Sequence, residues 1–166
     1  YSTYRKFNCP LPVFEYTFRW MKDQDFGNSK MTLVHGDFRL GNLIFDKSGL
    51  QSVIDWELSH IGNPMQDLGW ICVNSWRFGQ HEKVVGGFGH IEDLMNGYSS
   101  IIKQELCINI IRNWQILGTL RWGVICLIQT FSNLLGSNNS VERAAIGRRV
   151  SETELDLVDL LFLKGE

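Results

Sequence analysis

The chain has 166 residues, of which 44% are hydrophobic and 20% charged, and its formal net charge is −2 at pH 7. This length allows one domain or part of a larger protein, and the composition is typical of a globular rather than a disordered chain. A slightly acidic chain is not expected to bind nucleic acid through bulk electrostatics. The four cysteines form no CxxC pair and no secretory segment is visible, so we expect no disulfides and a cytoplasmic location.

The first third of the chain predicts a helix followed by three strands. Apolar residues recur at helical spacing over residues 13–22, and a polar loop separates them from an apolar strand at residues 31–35. A second strand at residues 43–45 and a third strand that ends at Asp55 flank residues 46–49. Those four residues read Asp-Lys-Ser-Gly, which is typical of a turn, so the second and third strands are predicted to form a hairpin.

This hairpin determines which polar side chains meet. Asp37 and Asn42 lie on the loop between the first two strands, and the hairpin is expected to return Asp55 to a position beside Asn42. Two carboxylates and one amide oxygen would then share a small volume that suits a hard cation such as Mg²⁺. An aspartate, an asparagine five positions later and a strand-borne aspartate match the spacing of the protein-kinase catalytic loop and metal-binding aspartate.

Two motifs resemble a family of small-molecule kinases. Residues 35–37 read His-Gly-Asp, and residues 62–69 read Gly-Asn-Pro-Met-Gln-Asp-Leu-Gly. Both resemble motifs of the aminoglycoside phosphotransferase and choline kinase-like family. Residues 67–70 and 118–123 are similar to the bacterial branch that is related to the kinase-like domains fused to acyl-CoA dehydrogenases. The resemblance implies an α+β, mainly α-helical fold, namely the C-terminal lobe of a protein kinase-like fold with a small catalytic β-hairpin.

The resemblance also implies a chemistry. It predicts a kinase that transfers the γ-phosphate of ATP to a hydroxyl of a small molecule, with ATP as co-substrate and Mg²⁺ as cofactor. Asp37 is expected to act in catalysis by orienting the acceptor hydroxyl, while Asn42 and Asp55 are expected to bind the metal. Arg39 either contacts the transferred phosphate or forms a structural ion pair. Asp67 is expected to support the catalytic loop by holding its backbone, because an unpaired buried carboxylate would be costly.

Four further residues have two interpretations each. His35 is expected to support the catalytic loop through hydrogen bonds to its backbone, and the alternative is a direct chemical role. Glu57, Trp76 and Arg77 are candidate substrate-binding residues. For Glu57 the alternatives are a place beside the metal or a solvated carboxylate. For the other two, which lie in an aromatic and glycine-rich segment, the alternative is a surface loop fixed by aromatic side chains.

The second half of the chain predicts helices. Asn63 and Pro64 are expected to open a helix, as its N-cap and first residue, that reaches Ser75. Helical patterns then cover three more segments, residues 91–105, 106–135 and 141–163. We expect a break near Gly118 and another at residues 136–140. Polar residues interrupt the long apolar stretch too often for a membrane span.

The sequence lacks the motifs of a kinase N-terminal lobe. Only 34 residues precede His35, and they contain neither a glycine-rich loop nor a strand lysine that could bind the phosphates of ATP. We therefore expect residues 1–166 to be the C-terminal lobe of a longer kinase, inactive by itself, with the N-terminal lobe as its partner in the same polypeptide. The other expected partners are a nucleotide and a small-molecule hydroxyl substrate, with no nucleic acid and no membrane.

Two other functions compete with the kinase. One is a non-catalytic kinase-like binding module, which is disfavoured because Asp37, Asn42 and Asp55 are all present. The other is a metal-dependent hydrolase that would use His35, Asp37, Asp55 and His60, since histidines and carboxylates can hold two metal ions. In that hydrolase Asn42 would have no role.

Overall fold

The structure is a computed structural model, and it describes residues 1–136 and 140–163. Its α-helices are α1 (Ser2–Arg5), α2 (Pro12–Trp20), α3 (Met65–Ile71), α4 (Ile91–Ile102), α5 (Ile108–Leu134), α6 (Val141–Gly147) and α7 (Val150–Val158). Its strands are β1 (Thr32–Val34), β2 (Leu43–Asp46), β3 (Gly49–Val53) and β4 (His60–Gly62). The predicted mainly helical α+β class is therefore confirmed.

The chain forms two compact units. One contains Tyr1–Gln24 together with the described residues from Thr119 onward, and the other is Asp25–Gly118. Both predicted functional motifs lie in the second unit, so that unit carries the candidate site.

Two small antiparallel sheets build the second unit around the loop that follows β1. Strand β2 pairs with β3, with Leu43 opposite Val53, which confirms the predicted hairpin. The register shifts between Ile44 and Phe45, so that Gln51 is an extra residue on β3. Strand β1 pairs with β4, and this second pairing was not predicted because the three residues of β4 carry no strand pattern.

Helix α3 begins close to the predicted position but is shorter than predicted. Its N-cap is Pro64 instead of the predicted Asn63, and the Asn63 side chain accepts a hydrogen bond from the Met65 N–H at 3.0 Å. The helix ends at Ile71 instead of Ser75, because the side chains of Arg77 and Gln115 donate to the Cys72 carbonyl. The buried core of the unit forms around α3 from seven apolar side chains, Met65, Leu68, Ile71, Cys72, Val85, Leu106 and Ile111.

Helices α4 and α5 differ from the prediction. Helix α5 is continuous, so the predicted break near Gly118 is wrong: a Cβ on that glycine would lie 2.9 Å from a methyl group of Val73, and the residue serves close packing. Helix α4 ends at Ile102 because Lys103 adopts a left-handed conformation with φ of 59°. None of the described helices is long and apolar enough to span a membrane.

The predicted closing helix over residues 141–163 is also wrong as a single element. The chain forms α6 and α7 and then a π-helical turn over Asp159–Leu163. It leaves the helical conformation at Arg149, whose guanidinium pairs with Glu152 at 2.9 Å and lies 5.8 Å from the centre of the Trp122 ring. Residues 137–139 of the predicted break lie outside the described residues.

Candidate active site

The loop after β1 is held by its backbone. The two carboxylate oxygens of Asp67, on α3, accept the N–H groups of His35 at 2.7 Å and of Gly36 at 3.0 Å. Gly36 has a φ of +83°, and a Cβ there would lie 2.5 Å from the Leu58 carbonyl oxygen, so this turn requires glycine. The loop therefore leaves β1 in one fixed direction, which sets the position of Asp37.

The Asp37 carboxylate has three hydrogen-bond donors. Its Oδ2 accepts from the Asn42 amide at 2.8 Å and from Nε of Arg39 at 3.0 Å. Its Oδ1 accepts from the indole N–H of Trp70 at 2.9 Å. The side chain is 17% exposed, so a small molecule can reach a carboxylate whose orientation is fixed.

The hairpin brings the backbone of Asn42 close to that of Ile54, the residue before Asp55. The Asn42 amide also donates to the backbone carbonyl of Asp37 at 2.9 Å, and the Ile54 N–H donates to the Asn42 carbonyl at 3.0 Å. Asp55 follows immediately and has a left-handed backbone with φ of 68°. The Asn42 amide nitrogen therefore makes both contacts of this side chain to Asp37.

This donor set fits Mg²⁺. Magnesium prefers oxygen ligands and is usually held by one or two carboxylates together with substrate phosphates and water. The exposed carboxylate of Asp55 and the amide oxygen of Asn42, whose side chain is buried, would supply such a set. Among residues 1–136 and 140–163 there is no group of three or more His, Cys, Asp or Glu side chains arranged for a metal. A metal here would therefore depend on these two ligands and on the phosphates of a nucleotide.

His35 contacts the loop through both ring nitrogens. Its Nδ1 accepts from the Asp37 N–H at 3.2 Å, so the proton lies on Nε2, which donates to the Ile54 carbonyl at 2.9 Å. The ring is buried and packs 4.6 Å from Trp56. These contacts link the loop after β1 to the hairpin.

The contacts of His60 give no support to a metal-dependent hydrolase. Its Nδ1 lies 2.9 Å from the Leu58 carbonyl and its Nε2 lies 3.2 Å from the Gln66 side chain. Both ring nitrogens of His35 are occupied in the same way.

The other predicted site residues occupy different environments. Arg39 pairs with Asp37, and its guanidinium lies 5.4 Å from the centre of the Trp76 ring. Trp76 itself is buried, so it reaches the site through Arg39. Arg77 is buried too and donates to the carbonyls of Cys72 and His81. Glu57 is exposed two residues after Asp55.

Trp70 is the residue near the site that the sequence interpretation missed. It lies three residues after Asp67 on α3, and residues with that spacing share one face of a helix. Since Asp67 was expected to face the catalytic loop, the three-residue spacing could have predicted that Trp70 faces the same loop.

The fold is that of a kinase-like phosphotransferase. The chain belongs to the phosphotransferase enzyme family, whose family model matches residues 4–101. A similar solved structure is that of a candidate aminoglycoside phosphotransferase from Ralstonia eutropha JMP134, with a TM-score of 0.75 and 19% sequence identity. The match covers 96% of this chain and 52% of that one, so the chain spans about half the length of the solved structure.

Two curated relatives are much longer than this chain. Acyl-CoA dehydrogenase family member 10 of Mus musculus is 42% identical over 65 residues, which are 38% of this chain and 6% of that protein. Acyl-CoA dehydrogenase family member 11 of Homo sapiens is 39% identical over 61 residues, which are 35% of this chain and 8% of that protein. The names of these relatives describe whole proteins of which the matched segment is less than a tenth.

Proposed function

We propose that this chain is the catalytic lobe of a kinase that transfers the γ-phosphate of ATP to a hydroxyl group of a small molecule. The observation that carries the proposal is the position of Asn42. Its amide nitrogen donates to the Asp37 carboxylate, and its backbone carbonyl accepts the N–H of Ile54, the residue before Asp55. A base for the acceptor and two metal ligands would thereby be held together by the loop after β1 and the end of β3, which is the arrangement that phosphoryl transfer needs.

Each residue then has a distinct role. Asp37 orients the acceptor hydroxyl and takes its proton. Asn42 and Asp55 would hold Mg²⁺, which when bound neutralises charge on the β- and γ-phosphates. Arg39 neutralises part of the Asp37 charge in the resting site, and in this proposal it also contacts the transferred phosphate. His35 and Asp67 keep the loop in place through its backbone.

The candidate substrate contacts divide by exposure. Glu57 is exposed, and we propose it as a contact for a polar acceptor. Trp76 and Arg77 are both buried, so we propose supporting roles for them. Trp76 packs against the guanidinium of Arg39, and Arg77 holds the loop that contains Trp76 and Arg77 by donating to the Cys72 carbonyl.

The remaining part of the nucleotide site belongs, in this proposal, to an N-terminal lobe of the same polypeptide. The solved relative supports this, because the matched region is only 52% of its length. Residues 1–166 alone should show negligible turnover of ATP, since much of the phosphate positioning would come from the other lobe. Robust kinase activity of residues 1–166 would contradict this division.

The test is phosphate transfer by the full-length protein. We would supply ATP with a panel of small alcohols, including sugars, aminoglycosides and hydroxyacyl compounds, and measure ADP formation that depends on the acceptor. Asp37→Asn should retain nucleotide binding and lose about 10²–10⁴-fold in kcat, because an amide cannot accept the proton. Asp55→Asn should also weaken Mg²⁺ binding, and added Mg²⁺ should partly restore its activity.

The matched control is Asp46→Asn, an exposed carboxylate on the same hairpin, which should leave kcat unchanged. Equal rescue of the Asp37 and Asp55 variants by Mg²⁺ would show that base and ligand are assigned wrongly. Phosphate release from simple esters without ATP would instead favour a hydrolase.

A further inference from the structure

The three donors around Asp37 do not use its two oxygens equally. Oδ2 receives two hydrogen bonds, from Asn42 and Arg39, whereas Oδ1 receives one, from Trp70. A carboxylate oxygen can accept two hydrogen bonds, so Oδ2 is saturated. Within the part of the chain that the structure describes, no second donor reaches Oδ1. The free acceptor position of the base is therefore on the oxygen that Trp70 holds.

The Trp70 side chain is held in place by packing. It is 3% exposed, and its ring lies 5.2 Å from that of Trp76, which in turn packs against the Arg39 guanidinium. Nε of Arg39 donates to Asp37 at 3.0 Å. The indoles of Trp70 and Trp76, the Arg39 guanidinium and the Asp37 carboxylate therefore form a closed ring of contacts. Rotation of the Trp70 indole would disturb every member of this ring.

Helix α3 contacts the catalytic loop at two points. Asp67 accepts hydrogen bonds from the loop backbone, and Trp70, one turn later, donates to the side chain of the base. Because both contacts come from one face of one helix, the backbone and the carboxylate of Asp37 are fixed relative to each other.

We propose that Trp70 is a positioning residue that aims Oδ1 of Asp37 at the acceptor hydroxyl, an inference that rests on the proposed kinase function. The proton of the hydroxyl passes to Oδ1, and the hydroxyl oxygen bonds to the γ-phosphorus of ATP. The bond from that phosphorus to the β–γ bridging oxygen breaks, and ADP leaves with the electron pair. Without the indole N–H the carboxylate can rotate, and Oδ1 is no longer fixed in the direction of the acceptor.

The decisive variant is Trp70→Phe in the full-length protein, which keeps an aromatic ring and removes the N–H donor. The matched control is Trp114→Phe, because the Trp114 indole also donates, at 2.8 Å, but to the Phe26 carbonyl away from Asp37. With ATP and an alcohol accepted by the wild type, Trp70→Phe should lower kcat by about 10–100-fold and leave KM for ATP within a factor of about two. Trp114→Phe should leave kcat unchanged.

A second measurement covers the case in which Trp70→Phe does not fold. In ¹⁵N-labelled protein the indole N–H resonance of Trp70 should shift on Asp37→Ala, whereas that of Trp114 should not. Three results, each with an active wild type, would overturn the role of Trp70 and leave the proposed function in place. They are an unchanged kcat in Trp70→Phe, an equal loss of kcat in Trp114→Phe, and a Trp70 resonance that does not shift. A wild type that transfers phosphate to no acceptor would overturn the proposed function and this role together.

Discussion

Replacement of Asp67 tests whether α3 holds the catalytic loop. The Asp67 carboxylate accepts two backbone N–H groups, from His35 and Gly36, at 2.7 and 3.0 Å. A hydrogen bond to a charged group contributes about 1.5–3 kcal/mol, so Asp67→Ala should lower the free energy of unfolding by about 3–6 kcal/mol. Asp67→Asn keeps one acceptor oxygen but turns its NH₂ group toward the other donor, so its loss should be smaller but still clear.

The assay is urea unfolding followed by circular dichroism, with thermal unfolding as a second measure. For a chain of this length, a loss of about 3 kcal/mol corresponds to a decrease of roughly 6–12 °C in Tm. The control is Asp46→Ala, because Asp46 also accepts a backbone N–H, that of Ser48 at 2.7 Å, but in an exposed turn where the loss should be far smaller. If both variants lost the same stability, the loop would not depend on Asp67.

Two further predictions concern backbone strain and thiol reactivity. Gly36→Ala should lower the free energy of unfolding by about 2–4 kcal/mol, measured by urea unfolding, because Gly36 has a positive φ and an added Cβ would contact the Leu58 carbonyl. The control is Gly97→Ala, in the interior of α4 with nothing near the Cβ position, which should instead raise the free energy of unfolding by about 0.5–1 kcal/mol. Burial raises the pKa of the Cys72 and Cys126 thiols to about 12, so mass spectrometry after iodoacetamide treatment at pH 8 should find Cys107 alkylated and these two intact until urea unfolds the protein. Rapid labelling of either buried thiol in the native protein would contradict their burial.

The site was more predictable from the sequence than the ends of the helices. The step from Asp37 to Asn42 and the turn at residues 46–49 are local features, so a short stretch of sequence is enough to predict the hairpin and the contact between these two side chains. The contact between Trp70 and Asp37 joins residues 33 positions apart and depends on the rotation of α3, which periodicity alone does not fix.

Helix ends depended on residues far along the chain. The end of α3 was missed because the Cys72 carbonyl is taken by Gln115, 43 residues later. The continuity of α5 was missed because the contact of Gly118 with Val73 cannot be distinguished in sequence from a helix break. The assignment of residues 1–166 to a C-terminal lobe stays a prediction.

The pairing at the base of the hairpin limits how the length of this hairpin can change during evolution. Leu43 lies opposite Val53 and the Ile54 N–H donates to the Asn42 carbonyl, so loss of a residue between Val53 and Asp55 would shift Asp55 relative to these contacts. The exposed turn around Gly49 has no such restriction, because changes in its length leave the pairing of Leu43 with Val53 in place. Among natural variants of this chain, insertions and deletions should therefore collect at the tip of the hairpin and be absent from the stretch that leads to Asp55.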